Sequence, residues 1–234
     1  LPGCADLKLI LQQQRFPAPR PRTEAPTAAE VVAARQAAHD LGHPRAALAY
    51  ALQFEGAIRQ WDVIGQWVPL SHEAPSPIID GNSKWIGPTW SQIDEHLILR
   101  YTPAKTQFTT GAKVTLDLRE CPMVIEELSK IPADARRGPL IVGIAGLPYA
   151  YGTFRDLWRR CADRAGIKSS VWNRDLRAAG VTEAREAAAP TDDAAKVAGH
   201  ANKRTTARVY DRDHLEAHRR VMKARIAHRA KDGG

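Results

Sequence analysis

The residues able to do chemistry in this chain are cations scattered along its length and one late tyrosine. The stretch GHANKRTTARVYDRD, Gly199 to Asp213, sets His200 ten residues ahead of Tyr210, with three cations between them. AIRQWD holds Arg59 and, one turn on, Asp62; TPAKTQ holds Lys105. NRDLRAAG holds Arg174 and Arg177, three apart and therefore neighbours on one helical face. Planar guanidinium groups grip paired anionic oxygens bidentately. A phenol with an ordinary pKa of about 10 is a weak nucleophile at neutral pH, and neighbouring cations favour its phenolate. Gathered at one point, such a set would hold an oxyanion and attack it. Taken singly, each has a plain structural account: a surface Arg–Asp pair, a solvated turn lysine, a solvated helix face, a buried tyrosine.

The elements that would position these groups follow from pattern. Residues 1–25 hold Pro17, Pro19, Pro21 and then Pro26 at the edge, with Arg15, Arg20 and Arg22 among them. Proline fixes φ and lacks an N–H, so this segment reads as an extended linker. TAAEVVAARQAAHDLG opens with a capping box, Thr27 and Glu30, and stops at Gly42. Pro44 starts a second helix, HPRAALAYALQFEGAIRQWD, with Leu48, Ala51, Leu52 and Ile58 on one face. Residues 66–89, rich in Pro, Gly, Ser and Trp, read as a loop or insertion. HLILRYT (96–102) and KVTLDLR (113–119) alternate and predict an antiparallel hairpin, with WSQID adding a third short strand. The helical pattern resumes after Pro132: Thr153 with Asp156 caps FRDLWRRCADRA, and Gly166 ends it. Further helices are expected over 174–188, 191–198, 204–210 and 214–228. The fold class is mainly α (α+β): a helical domain with a small antiparallel three-stranded sheet.

Composition bounds the function. Thirty-four Lys and Arg against 26 Asp and Glu leave +8 in 234 residues, which permits a polyanionic partner without requiring one. Three cysteines, Cys4, Cys121 and Cys161, fit no disulfide framework or zinc spacing and suit a reducing cytoplasm. No apolar run approaches the ~18 residues of a membrane span, and no secretory signal is present. HLEAH sets His214 and His218 four apart, but its Glu is misplaced for a zinc-protease motif, so both His are expected in solvent on a tail helix. No carboxylate set for a two-metal nuclease is present, and GIAG at 143–146 is a loop rather than a phosphate cradle. No cofactor, metal or small-molecule substrate is implied.

The order of RQWD, WSQIDEHLILRYTPAKT, RDLR and GHANKRTTARVY resembles the catalytic domain of the tyrosine recombinases, or phage integrases, over most of the chain, about Thr27 to Asp213. The resemblance implies a mainly α fold with a small sheet, a basic cluster on the scissile phosphate of double-stranded DNA, and a 3′-phosphotyrosyl intermediate. Arg59 stands as the first catalytic arginine, with Asp62 supporting it. Lys105 matches the hairpin lysine, with Lys113 across the turn as the alternative. Arg177 is the second arginine, His200 takes a position filled by His or Trp, and Tyr210 is the nucleophile. One position departs: where the family shows His-x-x-Arg, this chain has Arg174. Arginine is not deprotonated in proteins, so Arg174 can bind phosphate but cannot shuttle a proton.

The resemblance further implies domains of 1–25 as linker and remnant of an absent N-terminal DNA-binding domain, 26–213 as the catalytic domain, and 214–234 as a tail helix. The tail's stripe Leu215, Met222 and Ile226 would pack on a neighbouring protomer in a homotetramer on DNA. A cytoplasmic, nucleoid-associated protein of a mobile element is expected. Two readings compete: a type IB topoisomerase-like enzyme, with the same chemistry and no strand exchange, and a non-catalytic DNA-binding protein on a recombinase scaffold.

Overall fold

The computed structural model describes Cys4, Leu7, Lys8, Arg22, residues 24–104, 111, 113–190, 193, 197 and 210–232, excluding the side chains of 210–214 and 232. Helix α1 (Ala28–Asp40) begins at the expected capping box: the Thr27 hydroxyl accepts from the Glu30 amide, and the Glu30 carboxylate accepts from the Thr27 amide. Such a cap stabilises a helix by about 1 kcal/mol. Helix α2 (Pro44–Glu55) has Pro44 at its start, where a missing N–H costs nothing.

Two expectations about α2 fail together. It is buried on every side from Ala46 to Glu55 rather than along one stripe. It also stops at Gly56, so Ile58 and Arg59 lie beyond it. The cause is centrality: α2 packs against α1 and against α4 (Pro122–Ser129) and α6 (Asp175–Glu186). Alanines 46, 47, 49 and 51 let neighbours approach from several directions. After Gly56 the chain turns sharply at Ala57, a non-glycine residue at φ 48°, and re-enters a short helix, α3 (Gln60–Ile64). Arg59 is therefore the residue preceding α3, not the end of α2.

Within the expected loop or insertion at 66–89 lie three short strands joined by turns. β1 (Gln66–Pro69), β2 (Ile79–Asp80) and β3 (Ser83–Ile86) make a three-stranded antiparallel sheet in the order β1-β3-β2, with Trp67 opposite Trp85. Strands of two to four residues are too short to show alternation, and the Pro and Gly between them dominate the composition. The expected hairpin is present as β4 (Ile98–Tyr101) and β5 (Val114–Asp117), in register Tyr101↔Val114. WSQID does not add a strand to it: Trp90–Gln92 is a 3-10 turn, and only Ile93 bridges to Leu99. The three-stranded sheet thus exists, built from a different segment.

Helix α4 precedes Pro132, ahead of where the pattern was expected to resume. Helix α5 (Tyr151–Arg164) starts two residues before the Thr153 cap expected for it, and Gly166, at φ 71°, follows its end as expected. Within the expected helix at 191–198, Asp193 and Val197 are described, and both are helical; 204–209 lies outside the described residues.

Helix α7 (Tyr210–Asp232) packs on the same chain, against β5 and α6. Its buried residues are Ala217, His218, Val221, Met222 and Arg225. Of the expected stripe, Met222 is buried, Leu215 half-buried and Ile226 exposed. His218 is not in solvent: its Nδ1 accepts from the Asp117 amide at 3.2 Å and its Nε2 lies 3.6 Å from Cys121 Sγ. A charged lock secures the helix. Arg225 pairs with Glu183 and donates to the carbonyls of Glu55 (2.7 Å) and Phe54 (3.1 Å). Arg229 bridges Glu183 at 2.7 Å and Glu55 at 2.9 Å. The other Glu55 oxygen accepts from the amides of Met123 and Val124, the exposed donors at the start of α4.

Candidate active site

Three of the sequence-selected residues meet. Helix α6 reaches the turn after α2 because Gly180 has no side chain: a Cβ there would sit 1.9 Å from the Phe54 carbonyl oxygen. That close approach places Arg177, one turn earlier on α6, so that its Nη1 donates to the Ala57 carbonyl at 2.7 Å. The strained turn at Ala57 thus sets both the carbonyl that Arg177 uses and the direction in which Arg59 leaves the backbone. On the first turn of α3, Asp62 faces Arg59, Nη1 to Oδ2 3.7 Å. This is ion-pair range, beyond a hydrogen bond.

The cluster is electrically uneven. Burial lowers the Arg177 pKa to about 10, and repulsion from Arg59 adds to the shift; Tyr101 and Asp62 oppose it without cancelling it. Burial raises the Asp62 carboxyl, against the pull of the Ala104 amide, Arg59 and Arg177. One oxygen of Asp62, Oδ2, is buried without a hydrogen bond. Burial raises the Tyr101 phenol too, with Asp62 next. Two guanidiniums whose positive field outweighs the nearby acid form a standing invitation to an oxyanion, which would supply the missing charge in a site already partly cleared of water.

The hairpin is tied to this cluster. Asp62 Oδ1 accepts from the Ala104 amide at 2.7 Å, just past the end of β4. Lys105, the next residue, lies outside the described residues, as does His200. Lys113 is exposed, immediately before β5. Tyr210 is the first residue of α7, and its side chain is among those not described. Arg174 stands one turn ahead of Arg177 and is exposed, its guanidinium 4.3 Å from the Trp172 ring centre. The structure therefore brings together Arg59, Asp62 and Arg177, and sets the Arg174 guanidinium on the Trp172 ring.

Tyr101 and the Ala57 carbonyl belong to the cluster and were missed. Tyr101 ends an alternating strand, which marks it as core; nothing in HLILRYT separates a structural tyrosine from one facing arginines. A backbone carbonyl leaves no trace in residue type. Among the described residues, no group of three or more His, Cys, Asp and Glu gathers to hold a metal ion, and no helix is long and apolar enough to cross a membrane.

Neither a family model nor a curated protein sequence matches the chain. Solved structures do. The lambda integrase catalytic core superposes with a TM-score of 0.54 at 17% identity, over 79% of this chain and 95% of that one. An integrase from mycobacterium phage Brujita gives 0.53 at 17%, over 93% and 68%. A lambda integrase tetramer bound to a Holliday junction gives 0.58 at 16%, over 88% of this chain and 58% of that one. The chain has the fold of an integrase catalytic core.

Proposed function

We propose that this chain is the catalytic domain of a site-specific DNA recombinase of the tyrosine type, cutting and rejoining double-stranded DNA through a 3′-phosphotyrosyl link. The observation that carries it is the meeting of Arg59, Asp62 and Arg177, from segments 120 residues apart, at a turn strained to receive them, on this fold. Lambda integrase has been solved on a Holliday junction as a tetramer; a homotetramer on DNA is the assembly proposed here.

Each residue then has a task. Arg59 and Arg177 hold the non-bridging oxygens of one phosphodiester and stabilise the charge that grows on them at five-coordinate phosphorus. Asp62 orients Arg59 and, through Ala104, holds the base of the hairpin. The Tyr210 oxygen attacks phosphorus as its P–O bond to the 5′ oxygen breaks. The phenol proton leaves to solvent or a nearby base, and Lys105 donates a proton to the departing 5′ oxygen. His200 donates a hydrogen bond to the phosphate. The bond energy is kept in the phosphotyrosine, so a 5′ hydroxyl can reverse the step without ATP. Arg174 adds a phosphate contact and moves no proton. Such a protein would work in the cytoplasm on the chromosome.

The test is a DNA substrate nicked so that the cleaved end diffuses away. A covalent protein–DNA adduct is expected from the native chain and none from Tyr210→Phe. The position of Arg174 favours a second reading, a DNA-binding protein without catalysis. Duplex binding with no adduct on any substrate would select that reading. Supercoil relaxation without strand exchange would select the topoisomerase-like one.

A further inference from the structure

A cavity of about 450 Å3 opens beside the arginine cluster, between the start of α3, α5 and the segment leading into α6. Its lining includes Gln60, Tyr151, Trp158, Trp172, Asn173 and Arg174. Gln60 follows Arg59 in the chain, and Arg174 precedes Arg177 by one turn, so the cavity adjoins the proposed phosphate grip. Asn173 is 4% exposed, and neither its amide oxygen nor its amide nitrogen has a hydrogen-bond partner. The Gln60 amide nitrogen is likewise buried and unpaired. Buried amides left unpaired are costly, and two at one cavity mark a place where a polar ligand would complete the hydrogen bonding. Around them stand flat surfaces. Tyr151 stacks on Trp61 with centroids 4.9 Å apart and planes at 21°, and both rings are exposed. Trp172, also exposed, carries two guanidiniums on its ring, those of Arg22 and Arg174, each 4.3 Å from its centre.

A carboxamide offers one donor and one acceptor side by side, the complement of a nucleobase edge, with adenine the usual match for Asn. Aromatic rings and guanidinium planes are the surfaces on which unstacked bases rest. The depth of Asn173 decides how the base arrives: an edge still stacked inside a duplex cannot reach a side chain this sheltered, so the base must leave the helix. We infer that this cavity receives one nucleobase, adenine by preference, extruded from the DNA next to the phosphate held by Arg59 and Arg177. The inference rests on the DNA-cleaving reading above and adds a site that the phosphate chemistry does not need. Its use would be to fix the position of the cut by trapping a nucleotide out of the stack.

The experiment compares binding of a plain duplex with the same duplex carrying one bulged adenine, by fluorescence anisotropy at fixed salt. The native chain is expected to prefer the bulged duplex by about tenfold, the scale of one bidentate base contact. In Asn173→Ala the ratio should fall to within about twofold, and Gln60→Ala should lower it by a smaller factor. Circular dichroism on both variants separates a lost contact from a lost fold, and the two substitutions lie on different segments, so a misfolded one leaves the other to decide. Equal affinity of the native chain for both duplexes would overturn the extruded-base site while leaving the recombinase reading standing. No binding to either duplex would remove both readings together. A dAMP titration closes the remaining route: dAMP bound as tightly as the bulged duplex would assign the cavity to a free mononucleotide and overturn the inference.

Discussion

Two clusters of arginine sit along helix α6, and the acids that face them have been left in opposite states. At the tail lock, Arg225 and Arg229 face Glu183 and Glu55. Every arm is matched: Glu183 takes both arginines, Glu55 takes Arg229 and two helix amides, and Arg225 also reaches two carbonyls. Arg225 is 1% exposed and its neighbour Glu55 is fully buried. Burial pushes the Glu183 carboxyl up, but the two arginines outweigh it and the net shift is downward; burial and Arg229 lower Arg225, while Glu183 and Glu55 hold Arg229 above the ordinary arginine value. At the turn after α2, burial and mutual repulsion bring Arg177 down to about 10, while burial leaves Asp62 raised despite two nearby cations. The first cluster is a finished structural joint. The second is electrostatically incomplete, which is what a site for an anion should be before the anion arrives.

The largest expected effect breaks the joint. Arg225→Met removes a buried cation and leaves Glu183 and two carbonyls short of a partner. Breaking one side of a buried ion pair costs about 3–5 kcal/mol, read as a lower midpoint in urea unfolding. The matching change at the other cluster, Arg177→Met, should cost less, because burial and repulsion from Arg59 already disfavour that cation. It also relieves the repulsion on Arg59. The same substitution should instead weaken duplex binding at least tenfold. Equal destabilisation by the two substitutions would erase the distinction drawn here and make Arg177 a structural residue.

A smaller effect tests the joint where β5 meets α7. Asp117 is 1% exposed and accepts from Arg119 at 2.7 and 2.9 Å and from Arg219 at 2.9 Å. Burial pulls its pKa up, and the hydrogen bonds from the two arginines outweigh burial, leaving it at about 2. The folded value lies below the ordinary one of about 3.9. Its stabilisation is therefore complete above about pH 4 and is lost as pH falls towards 2. Both arginines are partly in solvent, so screening reduces the contribution to about 1–2 kcal/mol. Asp117→Asn should remove that amount at pH 7 and flatten the acid limb of a stability–pH curve between 4 and 2.

The sequence made one cluster visible and hid the other, for a physical reason. Arg59, Asp62 and Arg177 declare themselves because their types and order resemble a known pattern, and chemistry constrains type. The tail lock has no such pattern: Glu55, Glu183, Arg225 and Arg229 read as ordinary helix-surface charges until α2, α6 and α7 are brought together. The capped start of α1, the proline start of α2 and the β4–β5 hairpin were legible because each is a local signal. The stop of α2 at Gly56 was not, since apolar residues continue through Ile58 and only tertiary packing ends the helix. The sheet at 66–86 was hidden by strands shorter than a period can show. His218 looked like a solvated histidine because its partners, Asp117 and Cys121, are about a hundred residues away.

The smallest expected effect probes the incomplete cluster from its acidic side. Burial already favours the neutral form of Asp62, so Asp62→Asn changes little that the fold depends on. The new side chain keeps an oxygen to accept from the Ala104 amide, so the hairpin base stays tethered. A carboxyl whose folded pKa is raised holds its proton more tightly folded than unfolded. Stability then falls as pH rises from the ordinary carboxylate value through the raised one. Asp62→Asn removes this term, so the variant should match the native chain near pH 4 and exceed it slightly near neutrality, by less than about 1 kcal/mol. Chemistry should respond more than stability: with its orienting acid gone, Arg59 is held less firmly, and single-turnover adduct formation should slow several-fold while duplex affinity stays within about twofold. A clear loss of stability at neutral pH would mean that Asp62 is a satisfied partner of both arginines, and the contrast between the two clusters would disappear.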